Sequence, residues 1–162
     1  IGAFSLAKDI HVSYSEAKQY IVSYMNTYKG VCKYMNEVVA KAKENGYVET
    51  MFNRRRPIGE FAASNAALRA FGERVARNAP IQGTAADIIK IAMIRVYDRL
   101  KAELPTARLI LQVHDELIVE ADEADADKAS LILCEEMENA CKLAVPLVAD
   151  VHVGKTWLEA KG

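Results

Sequence analysis

The sequence predicts an α+β chain, rich in helices, with a small antiparallel sheet that forms late in the order. Three observations carry that expectation. Apolar residues recur at three- and four-residue spacing over most of the chain, the pattern of helices with one buried face. Strand-like alternation is confined to short stretches, most of them after Pro105. Helices dominate and the few strands cluster late, the pattern of an α+β chain. With 162 residues, 51% of them apolar, and a net charge of −1, the chain has the size and composition to bury a core.

Taken in order, Ser13-Tyr14-Ser15-Glu16 has the form of a capping box, a helix start in which a serine and a glutamate satisfy each other's backbone donors. Behind it, Ala17, Tyr20, Ile21, Tyr24, Met25 and Tyr28 make one stripe, expected to face inward and to end near Lys29-Gly30. A second helix places Val31, Tyr34, Met35, Val38 and Ala42 inward and stops at Asn45-Gly46, a favourable left-handed terminus. "YVETMF" then alternates weakly like a strand. "NRRRPIGEF" reads as a turn and a return strand broken by Pro57 and Gly59.

A third helix is expected from Ala62 to Asn78, with Leu68, Phe71 and Val75 as its apolar line. Pro80 biases Ala79 away from helical angles, so the reading places a break there. Thr84 would cap a new helix, with Asp87 three residues on as part of that cap. Ile88, Ile89, Ala92, Met93, Val96 and Leu100 give this helix a wide buried face, and Pro105 closes it. A hairpin over "LILQVHDELIVEA" follows. A helix is then expected from Glu123 to Lys142, with Ile132, Leu133, Met137, Ala140 and Cys141 inward. "PLVADVHV" reads as a last strand.

Composition excludes some functions. A net charge of −1 does not suit a general polyanion binder, although it leaves room for a local basic patch. Cys32, Cys134 and Cys141 form no CxxC pair and suit a reducing, cytoplasmic setting. No apolar run approaches the roughly 20 residues of a membrane span, so no membrane partner is expected. The chain starts at Ile1, close to structured-looking sequence, and is read as a piece of something longer.

His114, Asp115 and Glu116 stand between two stretches made for a core. An unpaired carboxylate is costly to bury, so a cation, a proton or solvent must meet it. One reading is a polar hairpin turn, since aspartate is common in turns. The other is a magnesium ligand, because magnesium takes one or two protein carboxylates and binds substrate phosphates with the rest of its shell. In "ERVARNAPIQGTAAD", Arg74 and Asn78 lie one helical turn apart and Gln82 follows. Arginine is a forked donor suited to phosphates, and the two amides can meet acceptors on the minor-groove edge of base pairs. The bland reading is an exposed polar helix face. Arg54, Arg55 and Arg56 in "NRRRP" are either a phosphate-contacting finger or a solvated charge run.

"RNAPIQGTAADIIKIAMIRV" followed by "LILQVHDELIVEA" closely resembles the family-A DNA polymerases of the bacterial polymerase-I type. The resemblance covers essentially the whole chain. "AFSLAKDI" looks like the segment just past that family's nucleotide-binding helix, "ENGYVETMFNRRRPI" like its arginine hairpin, and "PLVADVHVGKTWLEAKG" like its carboxyl terminus.

The resemblance implies that residues 1–79 are a later part of the fingers, including the arginine hairpin. Residues 80–162 would be a later part of the palm, carrying the "VHDE" hairpin. It implies a template-directed polymerase that adds dNTPs to a primer 3′ end with Mg2+, and whose partners are primer-template DNA and the remainder of its own chain. Asp115 would be one of two metal-binding aspartates, Glu116 its assisting neighbour and His114 a residue near the primer terminus. Arg74, Asn78 and Gln82 would touch the duplex, the two amides in the minor groove, and Arg54 and Arg55 would contact DNA. The setting would be the bacterial cytoplasm near the nucleoid, or an organelle in a eukaryote.

The sequence departs from the family pattern at Ser5, Lys29 and Asn53, where glycine, proline and glycine are usual, and at "PIGEF". The first metal-binding aspartate and the nucleotide-binding helix would lie upstream of Ile1, so the stretch is expected to be inactive in isolation. The alternative is a non-catalytic nucleic-acid-binding module that keeps the polymerase scaffold.

Overall fold

A computed structural model of the chain describes residues 2–161. In order they form α1 (Ala3–Asp9), α2 (Tyr14–Thr27), α3 (Lys29–Asn45), β1 (Tyr47–Glu49), β2 (Arg55–Pro57), α4 (Ala66–Glu103), β3 (Arg108–Val113), β4 (Glu116–Glu120), α5 (Ala126–Glu138) and α6 (Trp157–Ala160). Short 3-10 turns occupy Gly59–Ala62 and Glu123–Asp125. The chain divides into two compact units, the first ending at Pro80 and the second starting at Ile81. The helix-rich α+β class holds, with two separate two-stranded antiparallel sheets among the described residues.

In the first unit, α2 starts as its sequence dictates. Ser13 Oγ accepts from the Glu16 amide while the Glu16 carboxylate accepts from the Ser13 amide, completing the capping box. The Ser13 hydroxyl also donates to the Glu16 carboxylate at 2.7 Å, and this bond, with that from the Ser13 amide, holds the Glu16 carboxyl below its ordinary pKa. α3 ends at Gly46, whose φ of 79° suits a residue without a Cβ. The core here joins Val39 and Ala42 of α3, Val48 of β1, Ile58, and Ala76 and Ala79 of α4. Gly72 lets the Gly59–Ala62 turn lie close to α4, since a Cβ there would stand 2.9 Å from the Glu60 Cβ. Lys43 and Arg77 both pair with Glu73, tying α3 to α4.

The second unit is built on Ala92, Val96 and Leu100 of α4, which pack with Leu117 of β4 and with Ala129 and Ile132 of α5. Burying a side chain such as Leu117 or Ile132 stabilises by about 1.5–3 kcal/mol. At the rim, the Arg99 guanidinium donates to Glu103, Glu135 and Glu136 at 2.8, 2.5 and 3.1 Å. These carboxylates hold its pKa above the ordinary value.

Several expectations are corrected. α1 was not foreseen. Tyr20 and Tyr24 of α2 and Tyr28 at its C-cap are exposed, and only Ala17 of that helix is buried; Val31 and Tyr34 of α3, and Leu68 and Phe71 of α4, are exposed as well. There is no break at Pro80 and no new helix at Thr84: α4 runs unbroken for 38 residues with Pro80 inside it. An interior proline costs about 3 kcal/mol, because it lacks an N–H and its ring meets the carbonyl four residues back. Here the flanking residues are anchored on both sides, Ala76 and Ala79 in one core and Ala92 and Val96 in the other. Asp87 is therefore no cap; it is a buried residue inside a helix.

The helix expected from Glu123 to Lys142 ends four residues early. Asn139 folds its side-chain amide onto the Glu135 carbonyl, and Arg95 donates to the Asn139 carbonyl. "PLVADVHV" forms no strand. Its Ala149 amide donates to Glu138 and its carbonyl accepts from the Cys134 thiol, so the segment is tied to α5 instead of to a ladder. Burial raises the Cys134 pKa. No described helix is long and apolar enough to cross a membrane.

Candidate functional site

β3 and β4 pair antiparallel with Val113 opposite Glu116, so His114 and Asp115 make the whole connection. His114 sits at φ 54°, and Asp115 does not share that sign. A two-residue hairpin with positive φ at its first central residue is the II′ pattern, where glycine is usual. An L residue held there costs on the order of 1–2 kcal/mol.

Two features hold the turn. The Gln112 side-chain amide donates to the His114 carbonyl at 2.6 Å. Beneath it Leu117 is buried, and Leu109 and Val119, which pair, lie against the core of the second unit. Ile110 is an extra residue between the Leu109 and Leu111 pairs, a bulge of the kind that adds twist and re-aims the end of a ribbon.

His114, Asp115 and Glu116 all face solvent at this tip. The problem of a buried carboxylate therefore does not arise: the core lies below, and the acids stand clear of it. Two adjacent carboxylates are hard oxygen donors of the kind magnesium accepts. Among the described residues no three His, Cys, Asp or Glu side chains come together as a metal cage. The donor set thus fits one side of a magnesium site that keeps water and takes further oxygens from elsewhere.

Along α4, Arg74, Asn78 and Gln82 are exposed at four-residue spacing, which keeps them on one helical face. Gln82 is a helical residue and not the loop amide expected. Arg74 lies over the Phe71 ring, 5.5 Å from its centroid, within reach of a cation–π attraction.

In the first unit, Arg54 and Arg55 belong to the β1–β2 hairpin, where Glu49 pairs with Arg55. Asn53 takes φ 63°, the conformation a glycine would supply, and asparagine is among the few side chains that adopt it readily. The departure from glycine there is thus accommodated. Arg55 is not a freely projecting finger: its Nε donates to Glu49 at 2.7 Å and its guanidinium lies 4.5 Å from the Tyr47 ring centroid. The hydrogen bond to Glu49 raises its pKa further. Arg54 and Arg56 are exposed.

Sequence reasoning missed Gln112. Its signal was position, two residues before a turn residue that must take a left-handed conformation.

The sequence model of DNA polymerase family A matches residues 1–159. The chain is 46% identical over 161 residues to "DNA polymerase I" of Caldicellulosiruptor bescii, covering 99% of this chain and 19% of that protein. It is 46% identical to "DNA polymerase I" of Bacillus caldotenax, with 99% and 18% covered. To "DNA polymerase I, thermostable" of Thermus caldophilus it is 40% identical, with 100% and 19% covered. Among solved structures, the POL domain of Pol1 from M. smegmatis, in complex with DNA primer-template and dNTP, superposes with a TM-score of 0.93 at 41% identity. That match covers 99% of this chain and 28% of that one. The chain spans about a fifth of the length of the curated relatives it matches.

Proposed function

This chain belongs to DNA polymerase family A, and from that premise we propose that it is part of a template-directed DNA polymerase in which residues 1–79 serve the fingers and residues 80–162 the palm. The observation that carries the reading is the exposed pair Asp115 and Glu116, raised on a two-residue turn above a packed hairpin. Phosphoryl transfer asks a protein mainly for positioning and charge, and a carboxylate fixed by a sheet gives both.

In this reading Asp115 holds Mg2+, Glu116 assists it, and His114 lies by the primer end. Magnesium, when bound, supplies the charge that activates the primer hydroxyl and stabilises the departing pyrophosphate. Arg74 binds a phosphate, which carries no sequence information. Asn78 and Gln82 offer amide donors to the acceptor that every correct base pair presents in the minor groove, purine N3 or pyrimidine O2. They would check pair shape without reading sequence. Arg54 and Arg55 contact the DNA backbone, Arg55 after exchanging Glu49 for a phosphate. Primer-template DNA, dNTP and the rest of the polymerase chain are the partners. The three free thiols suit a reducing cytoplasm or organelle matrix.

The test is Asp115→Asn in the full-length polymerase. Nucleotide addition should fall by orders of magnitude while duplex affinity stays nearly intact, because affinity rests on phosphate contacts spread over the protein. Turnover within a factor of a few of wild type would reduce Asp115 to a turn residue.

A further inference from the structure

A two-residue connection between antiparallel strands favours two forms, I′ and II′. Both put the first central residue at positive φ, so the strain at His114 is common to the two and does not choose between them. They differ by a flip of the peptide that joins the two central residues. In I′ the second residue also takes positive φ, and in II′ it does not. Asp115 can serve in either, since aspartate is among the side chains that tolerate the left-handed region. The pair His114-Asp115 therefore leaves the turn type open. The form observed is II′, with positive φ at His114 and not at Asp115.

What decides between them lies just outside the turn. The Gln112 side-chain amide donates to the His114 carbonyl at 2.6 Å. That carbonyl belongs to the peptide that would flip, and a flip turns its oxygen away from the donor. It is the one side-chain hydrogen bond to the backbone of the turn among the described residues. Gln112 is itself well placed to hold still, because it pairs in the ladder with Leu117, which is seated in the core. The peptide is planar, so fixing its oxygen also fixes the direction in which the chain enters Asp115. A hydrogen bond of ordinary net strength shifts such a balance by a factor of about 2 to 13.

We propose that Gln112 is a positioning residue: its amide selects the II′ turn and so aims the Asp115 carboxylate. This role rests on the reading of Asp115 as a magnesium ligand. Gln112 touches neither metal nor substrate in it. In I′ the carboxylate would leave the ribbon in another direction, and a metal site does not tolerate a ligand displaced by an ångström.

Gln112→Met in the full-length polymerase keeps the length of the side chain and removes the donor. Its crystal structure should show the I′ turn, with Asp115 at positive φ, or both forms together. The magnesium concentration that half-saturates nucleotide addition should rise about tenfold, as for other lost supports of a metal ligand, while duplex affinity stays as in wild type. A II′ turn alone in the variant overturns the positioning role whatever the activity, and a fall in duplex affinity beside it would make Gln112 a DNA contact instead. A flipped turn with wild-type magnesium dependence refutes the other member of the pair: Asp115 is then not the ligand, and Asp115→Asn would leave turnover intact as well.

Discussion

The two hairpins of this chain are made of similar parts and present opposite charges in different ways. β1–β2 has strands of three residues, a connection from Thr50 to Arg54, and a row of arginines in which Arg55 pairs with Glu49. β3–β4 has strands of six and five residues, a connection of two, and carboxylates at its tip. Both connections contain a non-glycine residue at positive φ, Asn53 in one and His114 in the other. The difference follows from what each charge must do in the proposed function. A phosphate contact tolerates a side chain that swings from an intramolecular partner to a ligand. A metal ligand in a phosphoryl-transfer site must be held within a fraction of an ångström, so its turn is short and seated on a core.

The contrast is easiest to break at its largest consequence. In the proposed function the carboxylate turn would supply only one side of a two-metal site. The purified 162-residue chain should therefore show no primer extension at saturating magnesium, while the full-length polymerase extends. Extension by the isolated chain would mean that the described residues hold a complete site.

Next in size is the seat of the turn. Leu117→Ala in the full-length protein removes the buried side chain below the tip and should make β3–β4 easier to open by about 2–5 kcal/mol. Hydrogen exchange of the Val113 and Glu116 amides reads this directly, and unchanged protection would show that the core does not hold the hairpin.

Arg55→Ala should be milder. Duplex affinity should weaken equally across sequences and the slope of log affinity against log salt should lessen by about one unit, as for loss of one phosphate contact. Binding at several salt concentrations decides it; an unchanged slope would leave Arg55 as a partner of Glu49 alone. The smallest effects concern the left-handed residues of the two hairpins, His114 and Asn53. His114→Gly should gain up to about 1–2 kcal/mol of hairpin stability, because glycine carries no penalty at positive φ. Asn53→Gly should change stability by no more than about 0.5 kcal/mol, since asparagine already tolerates that region. Equal shifts at both positions would remove the asymmetry in strain.

Much of the fold is legible wherever a local rule acts alone. The capping box at Ser13 and Glu16, the left-handed stop at Gly46, both hairpins and the buried face of Ala92, Val96 and Leu100 follow from spacing and backbone preference. The approximate ends of α4 and β3 near Pro105 follow in the same way. The three clusters of candidate site residues could be picked out as well, because acids between core strands and amides beside arginine are chemically conspicuous.

What the sequence by itself determined, then, is each element whose partners are its own near neighbours. Where two tendencies compete, only the tertiary structure decided. Pro80 disfavours a helix locally, and packing of Ala76 and Ala79 on one side and Ala92 and Val96 on the other outweighs it. The α2 stripe asks to be buried, and nothing among the described residues covers it beyond Ile21. "PLVADVHV" has the composition of a strand, yet a strand exists only against a partner, and its Ala149 backbone groups bond to α5 instead. His114 is held left-handed by a two-residue connection between long strands, a demand set by the pairing of Val113 with Glu116 and not by histidine. Local preferences amount to about 1 kcal/mol or less for most residues and about 3 for an interior proline, and burial supplies about 1.5–3 kcal/mol per large side chain from residues distant in sequence.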